Sequence, residues 1–540
     1  MKKLLLSLLV VMMVSTTVVG CGTSDKAGSS KTQASEGGST DTGNSAVESE
    51  TSEGDLAAQV IAERKASGKY PTVVFTYMNY VGAPSGVNRI QEALSEYTRE
   101  QLGVNVELEL IDSGSFVQQM NLKLSSGEKM DLFVGYSLGY SNCVNRGYVL
   151  DLEENNLIQT YGQGILETMS PGLVEACRFN GKLYCLPQQR DYGQGKFAIC
   201  IGKEYLDAIG YDYGSLYENA GDDTIYSDVN TINDIFAQLH EAFPEKYVYA
   251  PRSANRQHGF PFDTTGGDLY GGLLDPEGTE LVNMWATEEF KEFCGIFYNW
   301  NQLGYISADA VTDSTEASAQ IKAGSAMAYM MAGKPGLKQQ VSNTCGRDMI
   351  VIQIGDNIIQ SSTPYGIPMM INAGTEDPVA AMQVYNLLYT DPYASNLLCW
   401  GQEGVDYKLM DDGHITFMDG VTSETTEWNN NVNWEMPNQY IAHVWEGNDL
   451  DIWEKTEAFN NSSIRFVNAE GFIFDNAEVA AESTAIANVV SEYEKRLYYG
   501  FLEPEAGLAE MNEKLEAAGL GTYIAAKQAA FDRWLAEKGN

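Results

Sequence analysis

A two-lobed α/β fold, crossed several times by the chain and followed by a helical C-terminal module, is what the sequence predicts. Three observations carry it. Strand-type and helix-type patterns alternate between Thr72 and Val134, the signature of a parallel sheet covered by helices. The 540 residues exceed what one compact core holds and fit two or three packed units. Short extended segments bounded by Gly or Pro recur at 181–187, 304–306 and 365–371. A chain that leaves one lobe, builds a second and returns needs such crossings, so these are the expected hinges.

The first 55 residues read as an address. Lys2 and Lys3 precede an apolar run at 4–14, then small and polar residues lead to Val18-Val19-Gly20-Cys21. A charged start, a short apolar core and a small residue before the cut describe an export signal over 1–20. The run is shorter than the roughly 20 residues a bilayer needs. The Cys after Val-Val-Gly resembles a bacterial lipobox, which implies diacylglycerol attachment at Cys21. Residues 22–55 are Gly, Ser, Thr, Ala and acids; they cannot bury enough surface to offset chain entropy and read as a flexible tether. With Cys21 lipidated, seven cysteines remain, so at least one lacks a partner within the chain. An Asn180-Gly181 turn sets Cys177 opposite Tyr184 and turns Cys185 to the other face, which opposes a disulfide between them. Buried free thiols are expected.

The elements of the folded body follow in order. Residues 72–77 are β-branched and aromatic, a strand; Gly82 to Gly86 break it. Val87, Ile90, Ala93, Leu94 and Tyr97 then recur at helical spacing, closed by Gly103. Val104, Val106, Leu108 and Leu110 alternate with polar residues, a strand with one wet face. A helix carrying Phe116, Met120 and Leu124 stops at Gly127, and 131–134 is the next buried strand. Ligands bind such sheets at the carboxyl ends of the strands, where Asn79, Tyr80 and Tyr136 fall. In the last seventy residues Ile486, Val489, Val490, Tyr493 and Leu497 share one helix face ended by Gly500; Leu508, Met511 and Leu515 share the next, ended by Gly519; Tyr523, Ile524, Phe531 and Trp534 follow on a third. Trp300 and Trp534 lie on such faces and are expected in the core.

These features together resemble the extracellular solute-binding lipoproteins of bacterial ABC importers. Trp400-Gly-Gln-Glu-Gly-Val-Asp-Tyr407, Trp445-Glu-Gly-Asn448 and Gly471-Phe-Ile-Phe-Asp475 resemble the branch of that family with a C-terminal helical module of unassigned function. Leu515-Glu-Ala-Ala-Gly519 and 528–534 match that module's ending. The tail reads Ala526-Lys-Gln-Ala-Ala530 where that branch has a Glu-x-Gln-x-Gln run. The resemblance implies a type II periplasmic-binding-protein-like fold. It also implies capture of a solute, often a mono- or oligosaccharide, for delivery to the membrane subunits of an ABC permease, by a monomer held to the membrane through its lipid alone. The expected division is 1–20 signal, 21–55 lipidated tether, 56–186 with 307–365 as lobe 1, 187–306 with 366–470 as lobe 2, and 471–540 as the module packed on the lobes.

Charge and residue types narrow the ligand. Thirty-four Lys and Arg face 74 Asp and Glu, a net charge of −40, which repels nucleic acid and anionic lipid headgroups. Sugar capture needs flat apolar faces for the C–H side of a pyranose and planar hydrogen-bonding groups for its hydroxyls. Tyr80 and Tyr136 lie just past strands. Arg190 and Asp191 follow the expected hinge at Pro187. Arg252 and Arg256 sit in a polar loop, and Tyr329 and Tyr365 lie beside the other crossings. Trp285, ending an apolar run before a helix, suits the core or the cleft; Glu403 either holds a loop or contacts ligand. Arg190, Arg252 and Arg256 together would suit an acidic sugar, since a guanidinium matches a carboxylate bidentately, unless the chain's own acids pair them.

No cofactor or metal is expected: the chain lacks a His-Glu-x-x-His helix and a phosphate loop, and its acidic pieces miss the calcium-loop spacing. One alternative is a surface-tethered glycoside hydrolase, for which two carboxylates roughly 5–10 Å apart suffice. Gly135-Tyr-Ser137-Leu-Gly139 has an esterase-like pattern after a strand, but His240, His258, His414 and His443 carry no context for a triad. A peptide-binding importer component is the other alternative.

Overall fold

The β-branched run after Pro71 forms the strand Thr72–Asn79 in a computed structural model that describes residues 53–80, 82–216, 224–430 and 432–539. The export signal, Cys21 and most of the tether lie outside the described residues. Thr72–Asn79 runs parallel to Asn105–Asp112 on one side and to Leu132–Val134 on the other, and Met369–Ile371 closes the sheet antiparallel to Leu132–Val134. The central strand is buried on both faces from Val73 to Asn79, as a helix-covered sheet requires. Helices Val87–Leu102 and Phe116–Ser126 cover it, ended by Gly103 and Gly127 at φ 66° and 69°, a backbone open to glycine. A helix the pattern did not show, Glu53–Ser67, takes over the last residues assigned to the tether. Its Arg64 reaches Asp377 at 3.1 Å and Gln383 at 2.5 Å, on the helix Pro378–Thr390 and its N-cap.

The second sheet is mixed. Gln194–Gly202 pairs antiparallel with Ala326–Gly333 and with Met349–Gln353, while Tyr247–Tyr249 and Thr224–Tyr226 extend it on either side. Asn357–Ile359 and Ile464–Arg465 continue it beside the start of Gln194–Gly202. This corrects the expected allocation of segments. Strands at 326–333 and 349–353 belong with 194–202, whereas Met369–Ile371 and helices Pro378–Thr390 and Pro392–Trp400 pack with the first sheet. The helices Ala480–Tyr498, Pro504–Ala517 and Leu520–Lys538 share the second core with Phe293, Phe297 and Trp300. No helix among the described residues is long and apolar enough to cross a membrane.

Among the described residues the chain passes between the lobes at 187–193, 360–368 and 461–463. The Gly304 segment is not a crossing. Tyr305 and Ile306 are buried in the second core, and Tyr305 O accepts from Val248 N and Tyr249 N at 2.9 and 3.0 Å, so this loop returns to its own sheet. No Gly or Pro bounds the crossing at 461–463. It is tied to the first by Asn460, whose Oδ1 accepts from Tyr192 N and Gly193 N at 2.8 and 2.9 Å and whose Nδ2 donates to Arg190 O at 2.9 Å. One buried amide thus satisfies three main-chain groups of a neighbouring crossing. Asn460→Ala is expected to lower unfolding free energy by about 2–3 kcal/mol, because two buried N–H groups lose their acceptor; urea denaturation checks it, and a loss near zero would contradict the role.

The hairpin at 178–183 has the expected register, Arg178 opposite Leu183, with Asn180 and Gly181 both at positive φ. The seven cysteines of the described residues are free and buried.

Candidate functional site: an aromatic chamber between the lobes

Five of the eight tryptophans fall between residues 400 and 453, and four of them wall one cavity. It has a volume of about 600 Å³, within the roughly 300–1,000 Å³ range of small-molecule sites. Trp400, Trp428, Trp445 and Trp453 line it from the first lobe; Lys334, Gln339, Gln340 and Asn343 line it from the second. The strand Ala326–Gly333 and the helix Leu337–Cys345 deliver the second wall.

Three of the four indoles are fixed by their own N–H groups. Trp428 Nε1 donates to Leu398 O at 3.0 Å, Trp400 Nε1 to His443 O at 3.1 Å and Trp453 Nε1 to Ala442 O at 2.9 Å. Trp445 lies 5.3 Å from Trp400 and edge-on to Phe417 at 4.6 Å, and Tyr440 stacks on Trp453 at 5.9 Å. Rings held this way need no polar partner from a ligand and keep apolar faces for it.

Most charges around the chamber are already neutralised. Asp191 pairs with Lys334 at 2.7 Å and Asp406 with Arg89 at 2.7 Å, while Glu446 keeps its charge and accepts the Thr416 hydroxyl. Burial pushes the Asp191 carboxyl up, but Lys334 and Arg190 outweigh it and hold it below the usual range. Amides supply the remaining polarity. Asn430, 5% exposed, lines the chamber with an Oδ1 that has no hydrogen-bond partner among the described residues.

The first-lobe wall continues past Asn429, whose carbonyl accepts from Asn79 Nδ2 at 3.4 Å, to Tyr80, which is 51% exposed. Tyr136 packs edge-on against Trp434 at 5.4 Å. Burial raises the Tyr80 phenol, Tyr136 and Glu435 add to that, and Arg252 opposes it. Arg252 rests its Nη1 on Met331 Sδ and has no ion pair among the described residues. Glu435 is fully buried. Its Oε2 accepts Met78 N–H at 3.1 Å, and burial pushes its carboxyl up to about 8 against that hydrogen bond.

Of the residues expected from sequence, Asp191 lines the chamber; Tyr80 is half exposed, Tyr136 packs on Trp434 and Arg252 on Met331, outside its lining. The others lie elsewhere. Arg190 serves the hinge, donating to Asp191 O at 2.8 Å beside the Tyr192 ring. Arg256 is bound to Glu494 at 2.9 Å. Trp285 is 1% exposed in the second core. Tyr329 is buried with its hydroxyl accepting from the Cys345 thiol, and Tyr365 donates to Phe472 O at 2.6 Å within the first core. Glu403 is exposed in a shallow recess with Tyr407 and His443. Ser137 has φ 57° but no histidine hydrogen-bonds it among the described residues.

A larger groove of about 930 Å³ lies between the 178–181 hairpin and the C-terminal helices. Its one indole, Trp534, is half-buried and carries the Lys538 ammonium over its ring at 4.3 Å, so it offers no free aromatic wall.

A family model described as bacterial extracellular solute-binding protein matches residues 83–395, more than half of the chain, and a domain of unknown function (DUF3502) matches 468–536. A carbohydrate ABC transporter substrate-binding protein of Streptococcus pneumoniae serotype 4 is 22% identical over 84% of this chain and 89% of its own. The solved N-glycan transport solute-binding protein (NgtS) of Streptococcus pneumoniae superposes with a TM-score of 0.73 at 19% identity, covering 87% of this chain and 100% of that one. An HMO-binding, ABC-transporter-associated protein from Bifidobacterium longum infantis gives 0.56 at 14%, over 86% and 99%. These likenesses show a two-lobed α/β type II fold, and the family match shows that the chain belongs to the bacterial extracellular solute-binding proteins, which bind their solutes rather than transform them.

Proposed function

We propose that this protein captures a neutral oligosaccharide between its lobes and presents it to an ABC permease, as a monomer anchored outside the membrane through Cys21. The carrying observation is the chamber itself. It pairs tryptophan faces from one lobe with amides from the other, and its ion pairs are closed within the protein. Aromatic faces suit the C–H side of sugar rings, and amides suit hydroxyls. With Arg190 and Arg256 committed to Asp191 and Glu494, the basic cluster that would favour an acidic sugar is dispersed, leaving Arg252 on Met331 as the one of the three without an ion pair among the described residues. The carbohydrate and N-glycan names of the relatives support the same class, as does NgtS solved with Man1GlcNAc. Closure follows if a solute touching both walls binds the closed state more tightly than the open one.

A thermal-shift panel of neutral, acidic and single sugars with short peptides tests this on residues 53–540. A ligand at about 100-fold its Kd adds roughly 2.7 kcal/mol. Stabilisation by neutral oligosaccharides recovered intact is expected. Stabilisation by peptides alone, or recovery of cleaved sugar, would overturn the reading.

A further inference from the structure

One buried charge on the C-terminal helices reaches a loop that is itself bonded to a hinge crossing. Lys527 on Leu520–Lys538 is 0% exposed. Its Nζ lies 2.6 Å from Gly271 O, 3.0 Å from Thr264 O, and 3.2 Å from both Asp268 O and Asp268 Oδ1. All four oxygens come from one loop, 264–271. Burial works against a charge here, and the Asp268 carboxylate opposes that; a buried ammonium persists only when its donors are met.

The loop is bent to present those oxygens. Thr265, Gly266, Gly267 and Gly271 have φ of 27°, 83°, 107° and 86°, and a Cβ on Gly271 would meet Ile524 Cγ1 at 2.9 Å, so the loop also needs glycine to approach the helix. Tyr523 donates to Asp268 Oδ2 at 2.7 Å, orienting that carboxylate from the same helix as Lys527. Three main-chain carbonyls and a carboxylate turned to one point are the ligand chemistry of a hard cation.

The same loop holds the crossing at 360–368. Buried Asp263 accepts Thr265 N and Oγ1 at 2.8 and 2.7 Å, and Ser361 N and Oγ at 2.6 and 2.7 Å. Gln360 Nε2 donates to Phe262 O at 2.7 Å, and the Thr264 and Ser362 hydroxyls share a hydrogen bond at 2.9 Å. We propose that loop 264–271 is a cation cage whose resident ion is the Lys527 ammonium, and that through it the C-terminal module fixes the hinge crossing. The class of ion the cage takes when Lys527 is shortened is a small monovalent cation, ammonium or potassium.

The test compares Lys527→Ala, which empties the cage, with Lys527→Met, whose stem still fills the approach. In tetramethylammonium chloride both should melt about 5–10 °C below the unaltered chain. At equal ionic strength, ammonium or potassium chloride should restore at least half of the loss in Lys527→Ala and none in Lys527→Met. Absence of that selective recovery overturns the cage. Hydrogen exchange on Lys527→Met gives a separate reading that does not need the alanine variant to fold: amides of 264–271 and 360–366 should exchange at least tenfold faster. Unchanged exchange at 360–366 overturns the hinge role.

Discussion

Trp453→Ala is expected to weaken oligosaccharide binding by roughly 30-fold or more, while Trp534→Ala leaves affinity unchanged. The two residues are the same type in different settings. Trp453 is half-buried, its N–H is spent on Ala442 O, Tyr440 backs it, and it lines the chamber. Trp534 carries Lys538 on its ring. A fixed indole at a desolvated contact commonly supplies 2 kcal/mol or more, about 30-fold in Kd. Trp453→Phe keeps a smaller face without the anchor and should fall between. Calorimetric titration reads all three; equal losses at 453 and 534 would contradict the chamber as the site.

Glu435→Gln should flatten the fall in stability between pH 5 and pH 8 and raise the melting temperature at pH 8. The folded carboxyl ionises near 8 because it is buried, whereas an unfolded glutamate ionises near 4.3. The folded state therefore binds more protons across that interval. Stability from this group is fully present below about pH 4.3 and is lost as pH rises through 8, by up to about 1.4 kcal/mol per pH unit. Buried His258, pulled down to about 3 by burial first and by Arg252 next, acts the other way below pH 6.5, so the difference between the two proteins isolates Glu435. Glu435 Oε1 and Tyr77 Oη are both buried without a partner among the described residues, so a neutral amide is tolerated there. Melting curves from pH 5 to 8 decide; parallel profiles would contradict the assignment.

Periodicity made the first sheet readable, because its strands and helices follow one another and glycines close the helices. The C-terminal helices were readable for the same reason. Lobe membership was not. Gln194–Gly202 meets Ala326–Gly333 across more than a hundred residues, and nothing local marks that pairing. The Gly304 segment looked like a crossing because extended backbone is common to linkers and to loops returning to their own sheet.

The site divided similarly. Tyr80 and Tyr136 were legible as strand-end residues, since the strands Thr72–Asn79 and Leu132–Val134 end just before them, but neither lines the chamber. Tyr329 and Tyr365 were misplaced because nearness to a crossing does not say which face a side chain takes, and one residue of register reverses it. The tryptophan cluster at 400–453 was visible as a local density, but its meaning depended on Leu398, Ala442 and His443 carbonyls aligning the rings.

Hydrogen exchange with and without a saturating neutral oligosaccharide tests the central claim most directly. Capture between the lobes predicts protection on both walls: near 428–430 and 443–456 in the first lobe, and at 334–343 in the second. Protection confined to one lobe, or none at either wall despite measured binding, would contradict it.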